Sequence, residues 1–165
     1  MFRAYAIRHG AGPLPTADPQ MTEKLLPGSH KENNRYQGEI RVGPLDLVLL
    51  RYAIGVCGGP SAFNGLAVTW FDQILANGEW HLCDGYLDSG EILIRHGDDQ
   101  EQLEYQERLT KQLFYCQPEI TTLSVPLKAT RNDLYHFCAD ILQEKLGASV
   151  RMISFGPTEQ DKVCK

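Results

Sequence analysis

The sequence predicts an α+β fold with a mixed, mainly antiparallel sheet, a central three-stranded meander and two helices. Three observations support this class. Apolar and β-branched stretches recur in the middle third of the chain, and two later segments repeat apolar residues at helical spacing. The chain has 165 residues, enough for one domain with a hydrophobic core. We therefore expect a single globular domain over residues 1–165, with its C-terminal helix packed on one face of the sheet.

In the N-terminal third, the predicted short strands are separated by a segment rich in proline. Residues 2–8 alternate in polarity and predict a first strand. Residues 11–36 contain several prolines and little periodicity, so we expect a long loop there. Residues 38–42 predict a short strand, and the apolar run 45–57 favours a buried strand over a helix.

The meander is the central prediction. Residues 66–75 are rich in β-favouring types, and Asn77 and Gly78 follow as a candidate type I′ turn. Residues 79–83 alternate, and residues 91–95 are apolar enough for a third strand. The three segments together predict adjacent antiparallel strands.

Two amphipathic helices are expected after the meander. Residues 98–116 place apolar side chains on one face, and acidic residues at their start complement the helix dipole. Residues 120–127 predict a strand. Residues 130–146 carry the second helix, with Thr130 and Asp133 as a capping box and Gly147 as a natural end. Residues 150–155 predict a last strand, and residues 157–165 a frayed tail.

Composition limits the partners that the chain can be expected to have. The formal net charge is −5 and the pI about 5.5, which argues against nucleic acid and permits a basic protein partner. No apolar run approaches the roughly 20 residues of a membrane helix, and no signal-peptide core is visible. The five cysteines are scattered and form no Cys-x-x-Cys pair, so a reduced, cytoplasmic setting is expected. Oligomeric state is left open.

The N-terminal segment Phe2-Arg3-Ala4-Tyr5-Ala6-Ile7-Arg8-His9-Gly10 resembles the opening of the histidine phosphatase superfamily. In that family an apolar strand delivers Arg-His-Gly into a phosphate pocket. The resemblance implies that His9 is a phosphoryl-accepting nucleophile and that Arg8 grips phosphate oxygens through its guanidinium. The tetrapeptide Ile-Arg-His-Gly recurs at residues 94–97, where it would also end a strand.

A second candidate nucleophile is Cys57. Gly55-Val56-Cys57-Gly58-Gly59 fits the nucleophile-elbow pattern, in which small neighbours allow a sharp turn after a strand. The alternative interpretation is a buried cysteine before a glycine-rich turn.

No metal or cofactor is expected. His81 and Cys83 share a strand face near Asp84, Asp88 and Glu91, but no second ligand pair completes a zinc site and the order is not that of an EF-hand. The sequence also lacks a P-loop, a dinucleotide glycine fingerprint, H-E-x-x-H and G-x-S-x-G.

Without a complete catalytic set, the sequence favours a non-catalytic function. The expected function is that of a small acidic protein-binding domain, an inhibitor or immunity-type protein that neutralises a basic partner. Its contact surface would be the acidic face Asp98, Asp99, Glu101 and Glu104. The alternative is a small hydrolase or phosphatase that uses His9 or Cys57.

Overall fold

The computed structural model describes residues 1–26, 36, 38–87, 99–126 and 128–165. Within this part of the chain the fold is mixed α/β, with five α-helices and nine strands in three sheets. The strands are β1 (Phe2–Arg3), β2 (Ala6–His9), β3 (Ile40–Gly43), β4 (Leu45–Asp46), β5 (Leu66–Thr69), β6 (Glu79–Tyr86), β7 (Pro118–Ser124), β8 (Val150–Ser154) and β9 (Lys162–Cys164). The helices are α1 (Pro19–Leu25), α2 (Leu47–Val56), α3 (Phe71–Asn77), α4 (Asp99–Leu113) and α5 (Arg131–Leu146).

The first sheet has the strand order β1-β5-β8-β9. Its first three strands are parallel, with Phe2 opposite Val68 and Val68 opposite Ile153, and β9 is antiparallel to β8. This sheet joins the two ends of the chain, because β1 lies at residues 2–3 and β9 at residues 162–164.

Two smaller sheets complete the architecture. Strands β2 and β3 form an antiparallel pair, and β6 lies between β4, which is parallel to it, and β7, which is antiparallel. The fully buried Trp80 on β6 connects this region to the first sheet, because its indole N–H donates to the Ala4 carbonyl at 2.7 Å. The ring of Phe71 meets Trp80 edge-on at 5.4 Å. The main hydrophobic cluster therefore contains residues from all three sheets, and a smaller cluster of Cys83, Tyr86, Leu109 and Leu113 joins β6 to α4.

The predicted meander is wrong in its first half. Residues 71–77 form α3 instead of a strand, and Gly78 adopts φ 77° as the C-cap of that helix instead of completing a hairpin turn. Strand β6 pairs with β7, Trp80 lying opposite Leu123, and β5 belongs to the other sheet. The expected strand 91–95 lies outside the described residues.

The apolar run 45–57 is also different from the expected strand. Only Leu45–Asp46 is extended, and helix α2 begins at Leu47. The Asp46 carboxylate caps this helix by accepting a hydrogen bond from the Leu49 N–H at 3.0 Å. A side-chain cap satisfies one of the free N–H groups at a helix start, which favours helix over strand here.

Of the remaining predictions, some are confirmed and others are wrong. The helix at the acidic segment and the capping-box helix are confirmed as α4 and α5, and Gly147 ends α5 with φ 69°. Residues 11–36 contain helix α1, capped by the Asp18 carboxylate. The frayed tail is wrong, because Lys162–Cys164 pair with β8. Among the described residues, no helix combines the length and apolar character needed to cross a membrane.

Candidate functional site

A cavity of about 720 Å³ opens at the carboxyl ends of β5 and β8. In open sheets with parallel strands, ligands bind in the crevice outside the carboxyl ends of the strands. Residues that directly follow two strands far apart in sequence therefore share one wall. The lining of the cavity includes Arg3, Trp70, Asp72, Ser154, Gly156 and Lys162.

Trp70 holds an unusual backbone conformation at this cavity. Its φ of 61° and ψ of 29° lie in the left-handed region, and no other described residue except glycine has positive φ. For an L-residue this conformation costs roughly 1–2 kcal/mol. The Arg3 guanidinium lies 4.7 Å from the centroid of the indole ring, and the Tyr5 ring meets the indole edge-on at 6.4 Å.

Asp72 supplies the acidic group of the cavity. It lies in the first turn of α3, and one carboxylate oxygen accepts a hydrogen bond from the Gln73 side chain at 2.9 Å. The other oxygen, Oδ1, can accept a hydrogen bond from a ligand.

The segment after β8 forms a tight turn along the opposite wall. The Ser154 hydroxyl donates to the Gly156 carbonyl at 2.8 Å. A side chain at Gly156 would collide with the Asp161 carboxylate, since a Cβ there would lie 2.6 Å from Oδ2. Hydrogen bonds from Thr158 hold that carboxylate in place and lower its pKa. Gly156 therefore contributes only backbone atoms to the cavity wall.

A smaller cavity of about 390 Å³ lies next to the first, and Arg3 lines both. Tyr5, Arg8 and Asp46 contribute to its wall. The Tyr5 hydroxyl is buried and makes no hydrogen bond, and its burial raises the pKa of the phenol, an effect that neighbouring Arg3 partly opposes.

The candidate nucleophiles lie away from the larger cavity. His9 is exposed at the end of β2, opposite Ile40. The Arg8 guanidinium fills the space above Gly12, where a Cβ would come within 1.7 Å of it. Cys57 is exposed and forms the C-cap of α2, so it ends a helix and does not follow a strand as an elbow requires.

The candidate metal ligands have other partners. His81 Nδ1 lies 2.9 Å from the Thr122 hydroxyl. The Cys83 thiol donates to the Gly85 carbonyl, and burial together with the charge of Asp46 raises its pKa to about 12. Within the described residues, no group of three or more His, Cys, Asp or Glu is placed to hold a metal ion.

The described part of the acidic face, residues 99–104, lies on α4 and lines neither cavity. Glu101 and Glu104 are exposed, Asp99 is the first residue of the helix, and Asp98 lies outside the described residues. Its use as a contact surface stays a prediction.

Sequence reasoning missed the residues that line the larger cavity. The available signals were single polar or turn-forming residues at the ends of two apolar strands, Thr69 and Asp72 in one case and Ser154 and Gly156 in the other. They become a site only when β5 and β8 are known to be parallel neighbours, which local patterns do not show.

Fold and cavity together define an α/β protein with a ligand pocket at the carboxyl edge of a partly parallel sheet. The family model of adenylosuccinate synthetase matches residues 1–163, and the chain belongs to this family.

Several relatives support the assignment. The chain is 30% identical to adenylosuccinate synthetase of Bdellovibrio bacteriovorus over 161 residues, covering 95% of this chain and 35% of that protein. It is 26% identical to the Caldanaerobacter subterraneus enzyme, covering 99% of this chain and 37% of that one. The structure of fully ligated adenylosuccinate synthetase from Plasmodium falciparum matches with a TM-score of 0.67 at 17% identity, covering 99% of this chain and 38% of that one. The chain thus spans little more than a third of these relatives.

The family corrects the functional predictions. An acidic inhibitor or immunity-type protein with a basic protein partner is wrong, and so is a hydrolase or phosphatase built on His9 or Cys57. Net negative charge is shared by many unrelated proteins, and the absence of a known catalytic motif does not exclude a site assembled from distant segments. Neither observation carries information about the fold topology.

Proposed function

We propose that this chain is the nucleotide-binding part of an adenylosuccinate synthetase-type enzyme, with a guanine nucleotide in the cavity at the ends of β5 and β8. The family supports the proposal, since adenylosuccinate synthetases act on GTP, IMP and aspartate. The observation that carries it is the position of the cavity, at the sheet edge where parallel strands end.

The chemistry of the wall fits a guanine base. Guanine presents an N1–H and an exocyclic amino group side by side, and a carboxylate can accept from both. Asp72 offers such a carboxylate. Gly156 lines the same cavity with its backbone, and the Asp161 carboxylate leaves no room for a side chain there. Arg3 and Lys162 add positive charge, which favours a ligand that carries phosphate.

We also propose that residues 1–165 act as one domain in this role. The cavity takes Arg3 from the start of the chain and Ser154 and Lys162 from near its end. Because β1 and β9 belong to one sheet, removing either end would remove part of the wall.

Calorimetric titration of the full 165-residue chain with GDP tests the site. We expect saturable binding, and we expect Asp72→Asn to weaken it by about tenfold to a hundredfold, because a charged acceptor contributes about 1.5–3 kcal/mol. The same variant should bind xanthosine diphosphate better than wild type does, since xanthine has a carbonyl where guanine has the amino group.

The matched control is Asp140→Asn, which removes an exposed carboxylate on α5 that does not line the cavity. It should bind GDP as wild type does. Absence of GDP binding by the wild-type chain at millimolar concentration would refute the proposed site.

A further inference from the structure

Arg3 and Trp70 form a stack on the cavity wall. Arg3 ends β1 and lies opposite Thr69 on the adjacent parallel strand, so the residue after Thr69 is its neighbour. The guanidinium carbon lies 4.7 Å from the indole centroid, within the range of a cation–π contact. The rings of Tyr5 and Trp70 lie 6.4 Å apart with their planes at 81°. Two flat groups, a guanidinium and an indole, are therefore in contact at one place on the wall.

The backbone of Trp70 is strained to achieve this placement. Glycine or asparagine would adopt φ 61° with less strain than tryptophan, yet a large aromatic residue occupies the position. Backbone outliers of this kind concentrate at ligand sites, where the surrounding structure enforces them. A large aromatic residue at a left-handed position therefore points to a use for the ring itself.

We infer that the Trp70–Arg3 stack is a platform for the flat face of a purine base. This inference rests on the proposed nucleotide site and adds the residues that hold the ring of the base. Nucleic-acid bases stack on aromatic side chains and on guanidinium planes, and such stacking depends little on which base is bound. The stack holds any purine by its face, and Asp72 reads the edge of the base.

Two substitutions at Trp70 distinguish a role of the ring in base binding from a role in folding. Trp70→Gly removes the ring and also suits the left-handed backbone, so loss of binding in this variant is not explained by added strain. Trp70→Phe keeps a flat ring. We expect GDP to bind Trp70→Gly about tenfold more weakly than wild type and Trp70→Phe within about threefold of wild type.

Arg3→Lys is the matched test on the other member of the stack. Lysine keeps the positive charge but has no planar group to stack. We expect GDP binding to weaken about fivefold, whereas binding of inorganic tripolyphosphate, which has no base, should change less than twofold.

Tryptophan fluorescence gives an independent readout. The chain has two tryptophans, and Trp80 is fully buried with its N–H bonded to the Ala4 carbonyl. Stacking of a base on the platform should quench the emission of Trp70, and the GDP-dependent quenching should disappear in Trp70→Phe although GDP still binds.

The outcomes distinguish the two proposals. GDP binding of wild-type strength in Trp70→Gly, or in Arg3→Lys, overturns the platform and leaves the nucleotide site standing. Failure of wild type to bind GDP overturns both. Circular dichroism of each variant verifies the fold, and should Trp70→Gly fail to fold, Arg3→Lys and the fluorescence quenching decide the question.

Discussion

The wall of the larger cavity and the interface between α2, β6 and α5 differ in backbone strain and in the hydrogen bonding of their polar groups. At the wall, Trp70 keeps a strained backbone, and the Tyr5 ring that contacts its indole carries a buried hydroxyl without a hydrogen-bond partner. At the interface, Asp46 and Asp84 each accept hydrogen bonds on both carboxylate oxygens. Backbone strain is thus found where the proposed ligand would bind, whereas the carboxylates of the interface have their hydrogen bonds within the protein.

Asp46 shows how the interface is completed. The residue is 3% exposed, and its carboxylate accepts hydrogen bonds from the Leu49 N–H at 3.0 Å and from the Tyr86 hydroxyl at 2.6 Å. Burial raises the pKa of Asp46, and the two hydrogen bonds act in the opposite direction. Burial and the nearby carboxylate also raise the pKa of Tyr86, so it remains a donor. One side chain thus caps α2 and anchors it to β6.

Asp84 joins three elements on the outside of the same interface. Its Oδ1 accepts from Arg51 of α2 at 2.8 Å, and its Oδ2 accepts from Lys145 of α5 at 2.5 Å. Partial burial by itself raises the pKa of Asp84, but the hydrogen bonds and charges of Lys145 and Arg51 outweigh that effect and lower it.

The largest expected effect lies in the core that both regions share. Trp80→Ala should lower the free energy of unfolding by about 3–5 kcal/mol, because it empties a fully buried site and removes the bond to Ala4. Urea unfolding followed by circular dichroism measures this loss. The other tryptophan is the control, since Trp70→Gly removes a half-buried ring and relieves strain, and should cost less than about 2 kcal/mol. Equal losses in the two variants would contradict the contrast between core and wall.

A pair of tyrosines tests the contrast directly. Tyr86→Phe should lower the free energy of unfolding by about 1–3 kcal/mol, because it leaves the buried Asp46 carboxylate short of a donor. Tyr5→Phe removes a hydroxyl that has no partner and should leave stability unchanged or slightly higher. Thermal unfolding at pH 7 compares the two variants without ligand. A loss of stability in Tyr5→Phe as large as that in Tyr86→Phe would show that the Tyr5 hydroxyl is hydrogen-bonded as strongly as the Tyr86 hydroxyl.

Sequence patterns were most informative where local signals agreed. The Thr130 and Asp133 capping box, a periodic apolar stripe and Gly147 all predicted α5, and the structure has it at Arg131–Leu146. At Asn77 and Gly78 one dipeptide was compatible with two structures, a hairpin turn or a helix end. Burial decided between them, since Phe71 and Ile74 reach the core from one helical face.

The candidate site was less accessible to such reasoning. Asp46 carried an N-cap signal for α2 that the apolar run behind it obscured. Arg3, Asp72 and Gly156 come together only through the parallel pairing of β1, β5 and β8. Long-range pairing leaves no periodic trace in any one segment, so no local motif could have united these three residues.

The smallest expected effect concerns Asp84 and depends on pH. Because the folded-state pKa of Asp84 lies below its unfolded value of 3.8, its stabilising contribution is present above that value and is lost as the pH falls through the folded pKa. Its side chain is 36% exposed, so water screens the two ion pairs and the effect is modest. Asp84→Asn should lower the Tm by about 2 °C at pH 7.

Calorimetry of wild type and Asp84→Asn from pH 7 to pH 3 checks both the size and the direction of this effect. The difference in Tm should stay constant down to about pH 4 and shrink below it. Asp46 titrates in the opposite sense but is present in both proteins, so it cancels in the difference. Glu107→Gln is the control, because Glu107 forms an exposed pair with Lys111 within α4 alone and should leave the Tm unchanged. A gap between wild type and Asp84→Asn that widens on acidification would mean that the carboxylate opposes the packing of α2, β6 and α5.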